Sequence, residues 1–256
     1  MAKLPLEKMM FHAREVAKSA RVQLIDSFGN IQSRNKNNRD IASSIVTDID
    51  RKVERSFKQQ LTRAWPEIGF YGEETGKTGS IDTFWLVDPL DGTNYYVRGL
   101  PMCASMISLI DRSQVVLSII YDFINDDIYW AIRGGGAYRN DSSISVSDRP
   151  LENSLVSLES SLANEALIES LRATTSLVSY RSSGYESILV ASGKLEAKIC
   201  IEPFGGDWDY APGSLLVEEA GGVVANIGQS SYNYQNHNFI LSSTAFYEEL
   251  NQRKIL

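Results

Sequence analysis

The run WLVDPLDGTN, residues 85–94, constrains the fold of this chain more than any other segment. Its first three residues are apolar and predict a short buried strand. Pro89 pushes Asp88 into an extended backbone, and Gly92 then frees the chain to turn. The residues after Gly92 are suited to begin a helix. The run therefore predicts two carboxylates, Asp88 and Asp91, on a rigid turn between the carboxyl end of a strand and a helix N-terminus.

Two interpretations of this turn are open. Asp-Pro and Asp-Gly pairs are common in ordinary turns, so Asp88 and Asp91 could serve as turn formers only. The whole run, however, is longer than turn chemistry requires. Carboxylates that hold cations, next to backbone N–H groups that bind phosphoryl oxygens, are what metal-assisted phosphoryl transfer needs. We therefore favour a phosphoryl-transfer site.

Two other segments combine acids with glycine. Glu73 and Glu74 precede Asp88 by 15 and 14 residues, and in isolation such a pair indicates a solvated loop. The intervening chain is long enough for a hairpin to return Glu73 to the side of Asp88. Asp209 comes just before a predicted helix, where it could be an N-cap or could bridge to a metal beside the helix dipole.

The bulk composition narrows the function classes. A formal net charge of -7 over 256 residues argues against a broad nucleic-acid surface. Many carboxylates with only two histidines, His12 and His237, favour a hard, oxygen-binding metal, and neither histidine is near the acidic motifs. The isolated cysteines, the amphipathic first segment and the lack of a ~20-residue apolar run indicate a cytoplasmic protein without a membrane partner.

Hydrophobic periodicity predicts an α+β first half and an α/β second half. Helices are expected over residues 6–20 and from Ile49 to Leu61, followed by an antiparallel meander of strands within residues 85–132. In the second half, strands near 155–158, 176–180 and 197–201 alternate with helices near 163–173, 187–191 and 211–220. We place a soft boundary near Asp148 to Pro150, which divides the chain into residues 1–150 and 151–256.

These segments together resemble the inositol monophosphatase family. An acidic pair with a downstream W-x-x-D-P-[IL]-D-G-T is matched by Glu73, Glu74 and residues 85–93. A W-D pair, followed by a small-residue helix and a glycine pair, is matched within residues 208–222. A weaker V-T-x-x-D element is matched by residues 46–50. The likeness extends over nearly the whole chain, and the combination of motifs is highly specific.

The resemblance implies a layered α-β-α-β-α sandwich with the site between the two halves. It also implies a homodimer that hydrolyses a small phosphorylated metabolite with two or three Mg²⁺ ions and is inhibited by Li⁺. By motif, Glu73, Asp88 and the Leu90 carbonyl would bind the first ion. Asp88, Asp91 and Asp209 would bind the second, and Glu73 would help to hold a weaker third ion.

The resemblance assigns further roles around these ligands. Asp50 would pair with Thr93 to orient the attacking water, with Glu73 as the third catalytic residue. The N–H groups of Gly92 and Thr93 would hold phosphate oxygens. Asp91 and Asp209, as metal ligands next to the phosphate, would also contact the substrate.

The segment expected to select the substrate departs from the family pattern. Gly184 matches, but Tyr185 and Glu186 are larger than expected, and Glu186 could repel a second phosphate. Glu202 falls where the family often has an acid that contacts sugar hydroxyls, which supports a polyol. Inositol monophosphate leads; fructose 1,6-bisphosphate, adenosine 3′,5′-bisphosphate and histidinol phosphate remain alternatives. A regulatory protein that binds partners without turnover is the alternative of another class.

Overall fold

The computed structural model describes residues 4–30, 34–35, 45–46, 48–160, 165–253 and 255. The helices of this part of the chain are α1 (Leu6–Ser19), α2 (Arg21–Ser27), α3 (Asp48–Ala64), α4 (Thr93–Tyr96), α5 (Glu165–Arg172), α6 (Ser183–Ala191), α7 (Asp207–Glu219) and α8 (Thr244–Gln252). Its strands are β1 (Arg34–Asn35), β2 (Ile45–Val46), β3 (Gly69–Gly72), β4 (Gly76–Thr78), β5 (Thr83–Asp91), β6 (Ala104–Asp111), β7 (Gln114–Asp122), β8 (Asp127–Ile132), β9 (Ala137–Arg139), β10 (Ser142–Ser143), β11 (Ser154–Ser160), β12 (Thr175–Val178), β13 (Ala197–Ile201), β14 (Val223–Asn226) and β15 (Phe239–Ser242).

The larger sheet contains eight strands in the order β10-β9-β8-β7-β6-β5-β3-β4. Strands β5 to β10 form the predicted antiparallel meander, and β3 lies parallel to β5. β5 is nearly all buried because helices cover both faces of this sheet. Its carboxyl end is therefore an interior position, and this end carries the acidic turn.

A β-bulge interrupts β5 at the acidic turn. Asp88 pairs with Met106 and Asp91 pairs with Ala104, so β5 has one residue more than β6 over this stretch. Pro89 has no N–H for the ladder, which accounts for the break here. Residues three apart in a regular strand point to opposite faces. The extra residue of the bulge puts Asp88 and Asp91 on the same face.

The smaller sheet has the order β12-β11-β13-β15-β14, with β11 parallel to both its neighbours and β15 antiparallel to both of its own. Its strands alternate between two cores. Ala197 and Ile199 of β13 pack with Phe246 of α8, whereas Cys200 belongs to the core that contains Leu215 of α7. This alternation is expected for a sheet that is covered on both faces.

Five layers result from this packing, and they confirm the predicted α-β-α-β-α sandwich. α1 and α3 cover the outer face of the larger sheet, where Met9, Phe57 and Trp85 share one core. α6 and α7 lie between the two sheets, and α5 and α8 cover the outer face of the smaller sheet. No helix in the described ranges combines the length and apolarity needed to cross a bilayer.

Two helices begin earlier than the sequence predicts. α6 begins at Ser183 rather than near 187, and α7 begins at Asp207 rather than near 211. Asp209 is therefore the third residue of α7, not a residue in front of it. Its carboxylate accepts a hydrogen bond from the Gly206 N–H at 2.6 Å. The backbone N–H at the N-cap of α7 is therefore satisfied by a side chain in the first turn of the same helix. Of the helix predicted near 163–173, residues 163 and 164 lie outside the described residues.

Candidate active site

A cavity of about 320 Å³ opens between the two sheets at the carboxyl end of β5. The start of α4, the loop before α7 and the residues around the start of α6 form its walls. Of the sequence-predicted site residues, seven line it: Glu73, Asp88, Leu90, Asp91, Gly92, Thr93 and Asp209. Residues without a predicted site role that also line it include Glu159, Arg181, Ser183, Phe204 and Tyr210.

Three carboxylates form the acidic centre of this cavity. Oxygens of Asp88, Asp91 and Asp209 all lie within 4.8 Å of one another. Asp88 is 1% exposed and Asp91 is 5% exposed, so little water screens their charges. The bulge of β5 supplies two of the three from one strand, and the first turn of α7 brings in Asp209 from the second half of the chain.

Asp91 is fixed by the N-terminus of α6. Its Oδ2 accepts hydrogen bonds from the Ser182 hydroxyl at 2.7 Å and the Gly184 N–H at 2.8 Å, and its Oδ1 accepts one from the Ser183 N–H at 3.0 Å. A Cβ on Gly184 would lie 2.5 Å from the sulfur of Met106. Gly184 therefore acts through Asp91, and it does not line the cavity itself.

Each of the other two aspartates is also oriented by a backbone amide. Asp88 Oδ1 accepts a hydrogen bond from the Leu90 N–H at 2.9 Å, across the bulge. Asp209 is held by the Gly206 N–H, and a Cβ on Gly205 would lie 2.6 Å from Asp209 Oδ2. The three acids are thus positioned before any ligand arrives.

The loop that carries Glu73 is held by a buried acid of α3. The Glu73 N–H donates to the Val87 carbonyl at 3.2 Å, which ties the loop to β5. Glu54 is fully buried and accepts hydrogen bonds from the N–H groups of Glu74 and Thr75, each at 2.7 Å. A Cβ on Gly72 would lie 2.4 Å from the Glu54 carboxylate carbon, so glycine is required there.

The sequence analysis missed Glu54, although a signal was present. Asp50 and Glu54 are four residues apart, and both are buried on α3 next to the apolar stripe that includes Val53. Two acids four residues apart repel each other on an exposed helix face. Their position beside an apolar stripe therefore indicates a buried polar face with hydrogen-bond donors.

Electrostatic repulsion in the centre favours a bound cation. Burial first, then the charges of Glu73, Asp209 and Asp91, raise the pKa of Asp88 well above its usual range. Burial, Glu73 and Asp91 do the same to the pKa of Asp209. Burial raises the pKa of Asp91 to about 6, although its hydrogen bonds and Lys198 oppose the shift. Carboxylates that cost free energy when ionised together are suited to a divalent cation.

The donor chemistry fits Mg²⁺. Each side-chain ligand atom is a carboxylate oxygen, and Leu90 lines the same cavity. Hard oxygen donors, with room left for water, are the set that Mg²⁺ prefers.

The remaining predicted residues around the turn take up varied positions. Gly92 has a φ of +75°, and a Cβ there would lie 2.4 Å from the Met102 carbonyl oxygen. The Thr93 hydroxyl donates to the Leu90 carbonyl at 2.8 Å. Asp50 is buried in the first turn of α3 and is not among the described residues that line the cavity.

Glu186 and Glu202 lie elsewhere than the sequence analysis expected, because neither is among the described lining residues. Glu186 is fully buried, where its carboxylate pairs with Lys198 Nζ at 2.6 Å and accepts the Tyr180 N–H at 2.8 Å. Glu202 is exposed, and its N–H donates to the side chain of Asn238. Glu159 is an acid of the second half of the chain that does line the cavity, and it accepts a hydrogen bond from the Tyr210 hydroxyl at 3.0 Å.

Comparison with known proteins decides the family. The family model described as "Inositol monophosphatase family" matches residues 5–255. This chain belongs to the inositol monophosphatase family. Members of this family are Mg²⁺-dependent phosphoric monoester hydrolases, and the chain is accordingly a hydrolase of this class with a phosphorylated small molecule as its substrate.

Individual relatives carry different names. Inositol monophosphatase 2 of Solanum lycopersicum is 34% identical over 204 residues, which cover 73% of this chain and 77% of that protein. Nus factor SuhB of Xylella fastidiosa is 29% identical over 235 residues, which cover 87% and 82%. The crystal structure of extragenic suppressor protein SuhB from Bartonella henselae superposes with a TM-score of 0.86 at 27% identity, covering 97% of this chain and 98% of that one.

Proposed function

We propose that this protein hydrolyses the phosphate monoester of a small polyol or sugar, with inositol monophosphate as the leading substrate. The observation that carries the proposal is the acidic centre, in which Asp88, Asp91 and Asp209 converge beside the start of α4. The similarity to an enzyme named for inositol monophosphate supports the choice of substrate.

The ligands of the Mg²⁺ ions in this proposal are those that line the cavity. Glu73, Asp88 and the Leu90 carbonyl hold one ion, and Asp88, Asp91 and Asp209 hold another, with Glu73 contributing to a third. Bound Mg²⁺ would supply Lewis acidity and a lowered pKa for a coordinated water. The chain's own contribution is to keep these oxygens oriented, through the hydrogen bonds that fix Asp88, Asp91 and Asp209.

The phosphoryl group would lie against the start of α4. The first N–H groups of a helix have no partner within it, so those of Gly92 and Thr93 are suited to phosphoryl oxygens. Since the Thr93 hydroxyl donates to the Leu90 carbonyl, its oxygen remains able to accept a hydrogen bond from the attacking water. The pairing of Thr93 with Asp50 remains part of the hypothesis, and it requires the single hydroxyl proton to turn from the Leu90 carbonyl to the Asp50 carboxylate.

Phosphate release from a substrate panel tests the proposal. The panel holds inositol 1-phosphate, fructose 1,6-bisphosphate, histidinol phosphate, adenosine 3′,5′-bisphosphate and glycerol 2-phosphate, each with and without Mg²⁺. Asp209→Asn should abolish release, because it removes a ligand and leaves its neighbours intact. Asp207→Asn is the matched control, since Asp207 lies in the same helical turn but pairs with His237 at 2.9 Å. Equal activity of the two variants, or release without Mg²⁺, would refute the proposed site.

A second candidate function is favoured by the similarity to a Nus factor. In that case the fold would bind a macromolecular partner, and turnover would be dispensable. A strain that carries Asp88→Asn separates the two: survival of the biological role without hydrolysis supports binding, and its loss supports catalysis.

We also propose that the protein is a cytoplasmic homodimer, as the resemblance implies. Sedimentation that yields a monomer would contradict the dimer.

A further inference from the structure

Glu159, Arg181 and Phe204 line one wall of the cavity, which would face the leaving group in the proposed reaction and is called the leaving-group wall. This wall has one positively charged residue. Among the described residues that line the cavity, Arg181 is the only basic one, and it is exposed. It precedes α6, so it lies next in sequence to Ser182, which binds Asp91. Within the part of the chain that the structure describes, Arg181 forms no ion pair with a carboxylate.

Phe204 fixes the position of this guanidinium. The guanidinium carbon of Arg181 lies 4.5 Å from the centre of the Phe204 ring, a cation–π distance. Phe204 also lines the cavity, yet 40% of it is exposed, which is high for a large apolar side chain. Its ring therefore supports the arginine at the mouth of the cavity, and Phe204 is not among the described residues of the hydrophobic cores.

Two of the seven described non-glycine residues with a positive φ lie in the segments that meet here, and the other five lie in turns elsewhere. Arg181 has a φ of +49° and Glu202, two residues before Phe204, has a φ of +44°. Residues other than glycine adopt such values at a cost, and strained residues cluster at binding sites.

The charges nearby do not oppose an anion at this position. Glu186, which the sequence analysis expected to repel a second phosphate, is buried outside the cavity and paired with Lys198. Lys198 also lies 3.4 Å from Glu159, the acid on this wall. The buried lysine faces both carboxylates and therefore offsets part of the negative charge behind the wall, and the guanidinium in front of it is available.

We propose that Arg181 and Phe204 form a second anion site, and that the preferred substrate is a phosphate monoester whose leaving group carries a further acidic group. This inference rests on the proposed phosphatase activity and makes its substrate class more specific: it ranks an acid-bearing substrate above inositol monophosphate, whose leaving group is a neutral polyol. The acidic group is a carboxylate or a phosphate, because both match the planar, two-pronged donor set of arginine. A neutral polyol phosphate would leave Arg181 without a contact.

Matched substrate pairs test this directly. 2-Phosphoglycerate and glycerol 2-phosphate differ only by a carboxylate in place of a hydroxymethyl group, and fructose 1,6-bisphosphate and fructose 1-phosphate differ by one phosphate. The wild-type protein should prefer the acid-bearing member of at least one pair by about tenfold or more in kcat/KM, as a charge-assisted hydrogen bond would give. The pair with the larger ratio identifies the acidic group.

Variants then connect the preference to Arg181. Arg181→Gln should reduce the ratio to about one, and Arg181→Lys should retain part of it. Arg112→Gln is the matched control, because Arg112 is an exposed arginine at the opposite end of the larger sheet, in the turn between β6 and β7. It should leave the ratio unchanged.

Three results would overturn the inference. A wild-type ratio near one in both pairs removes the second site. If Arg181→Gln lowers kcat/KM equally for both substrates of a pair, Arg181 acts on the scissile phosphate or on the fold. Absence of hydrolysis for all four compounds overturns the proposed function instead, and binding then decides: calorimetry must show about tenfold tighter binding of an acid-bearing member, and equal affinities refute the anion site.

Discussion

Lys198 is a buried cation of β13 that pairs with Glu186 of α6 and with Glu159 of β11, and the stability of this contact depends on its charge. Its side chain is fully buried, with Nζ 2.6 Å from Glu186, 3.4 Å from Glu159 and 3.0 Å from the Ser183 hydroxyl. Burial alone would lower the pKa of Lys198, but Glu186 and the other acidic groups around it hold that pKa above its ordinary value. The lysine is therefore charged in the folded protein, and its single positive charge is shared by two carboxylates.

Lys198→Met keeps the length of the side chain and removes this charge. Breaking a buried ion pair on one side costs about 3–5 kcal/mol, because the remaining charge is left without compensation. Glu186 retains only the Tyr180 N–H, whereas Glu159 retains the Tyr210 hydroxyl and lies at the cavity wall. We therefore expect about 3 kcal/mol of lost stability, near the lower end, with Glu186 as the main source.

Urea unfolding at pH 7.5 measures this loss. The double variant Lys198→Met/Glu186→Gln should recover about 2 kcal/mol relative to the single one, since no buried charge remains in the pair. Lys194→Met is the control, because Lys194 is exposed just before the same strand and should change stability by less than about 0.5 kcal/mol. A loss below about 1 kcal/mol for Lys198→Met, or a double variant no more stable than the single one, would refute the reasoning.

Three further predictions concern the cavity. Because the folded-state pKa of Asp91 is about 6 and lies above its ordinary value of 3.8, the folded metal-free protein binds a proton more tightly than the unfolded chain. Its free energy of unfolding should rise by about 1 kcal/mol from pH 7.5 to 5, and saturating Mg²⁺ should remove that trend in urea titrations; a fall in stability would contradict it. Gly92→Ala should lower the free energy of unfolding by about 1–3 kcal/mol and reduce phosphate release, since its Cβ would meet the Met102 carbonyl oxygen. Gly228→Ala, with a similar φ but open space around it, should lose less stability in the same urea titrations. Li⁺ should inhibit phosphate release in competition with Mg²⁺, and activity insensitive to Li⁺ would count against the second metal position.

Local sequence patterns predicted the strand meander and the acidic turn, because strands and helices leave periodic signals, whereas the order of the layers came from the resemblance to the family. The order Trp85 to Val87, then Asp-Pro, placed Asp88 where a buried strand ends, but the structure extends this strand through the bulge to Asp91. The bulge was not predictable, since it depends on the register with Met106 and Ala104 of the neighbouring strand. Only this register puts Asp88 and Asp91 on one face.

The acid that lines the leaving-group wall could not be predicted from local sequence patterns. Glu186 was expected at the substrate because its motif position suggested it, yet its partner Lys198 is 12 residues later on β13 and draws it into the interior. A lysine within the apolar stretch of residues 197–201 gives no local sign of such a partner. Pairings across layers decide which acid of this region faces the cavity, and they bring Glu159 there instead.

A crystal structure of the protein soaked with Mn²⁺ and phosphate would test the central claim most directly. Mn²⁺ shares the preference of Mg²⁺ for oxygen ligands and gives an anomalous signal. Anomalous peaks are expected between Asp88, Asp91 and Asp209, with phosphate in contact with the metal and with the start of α4. Phosphate bound elsewhere, or a cavity without metal at saturating Mn²⁺, would contradict it.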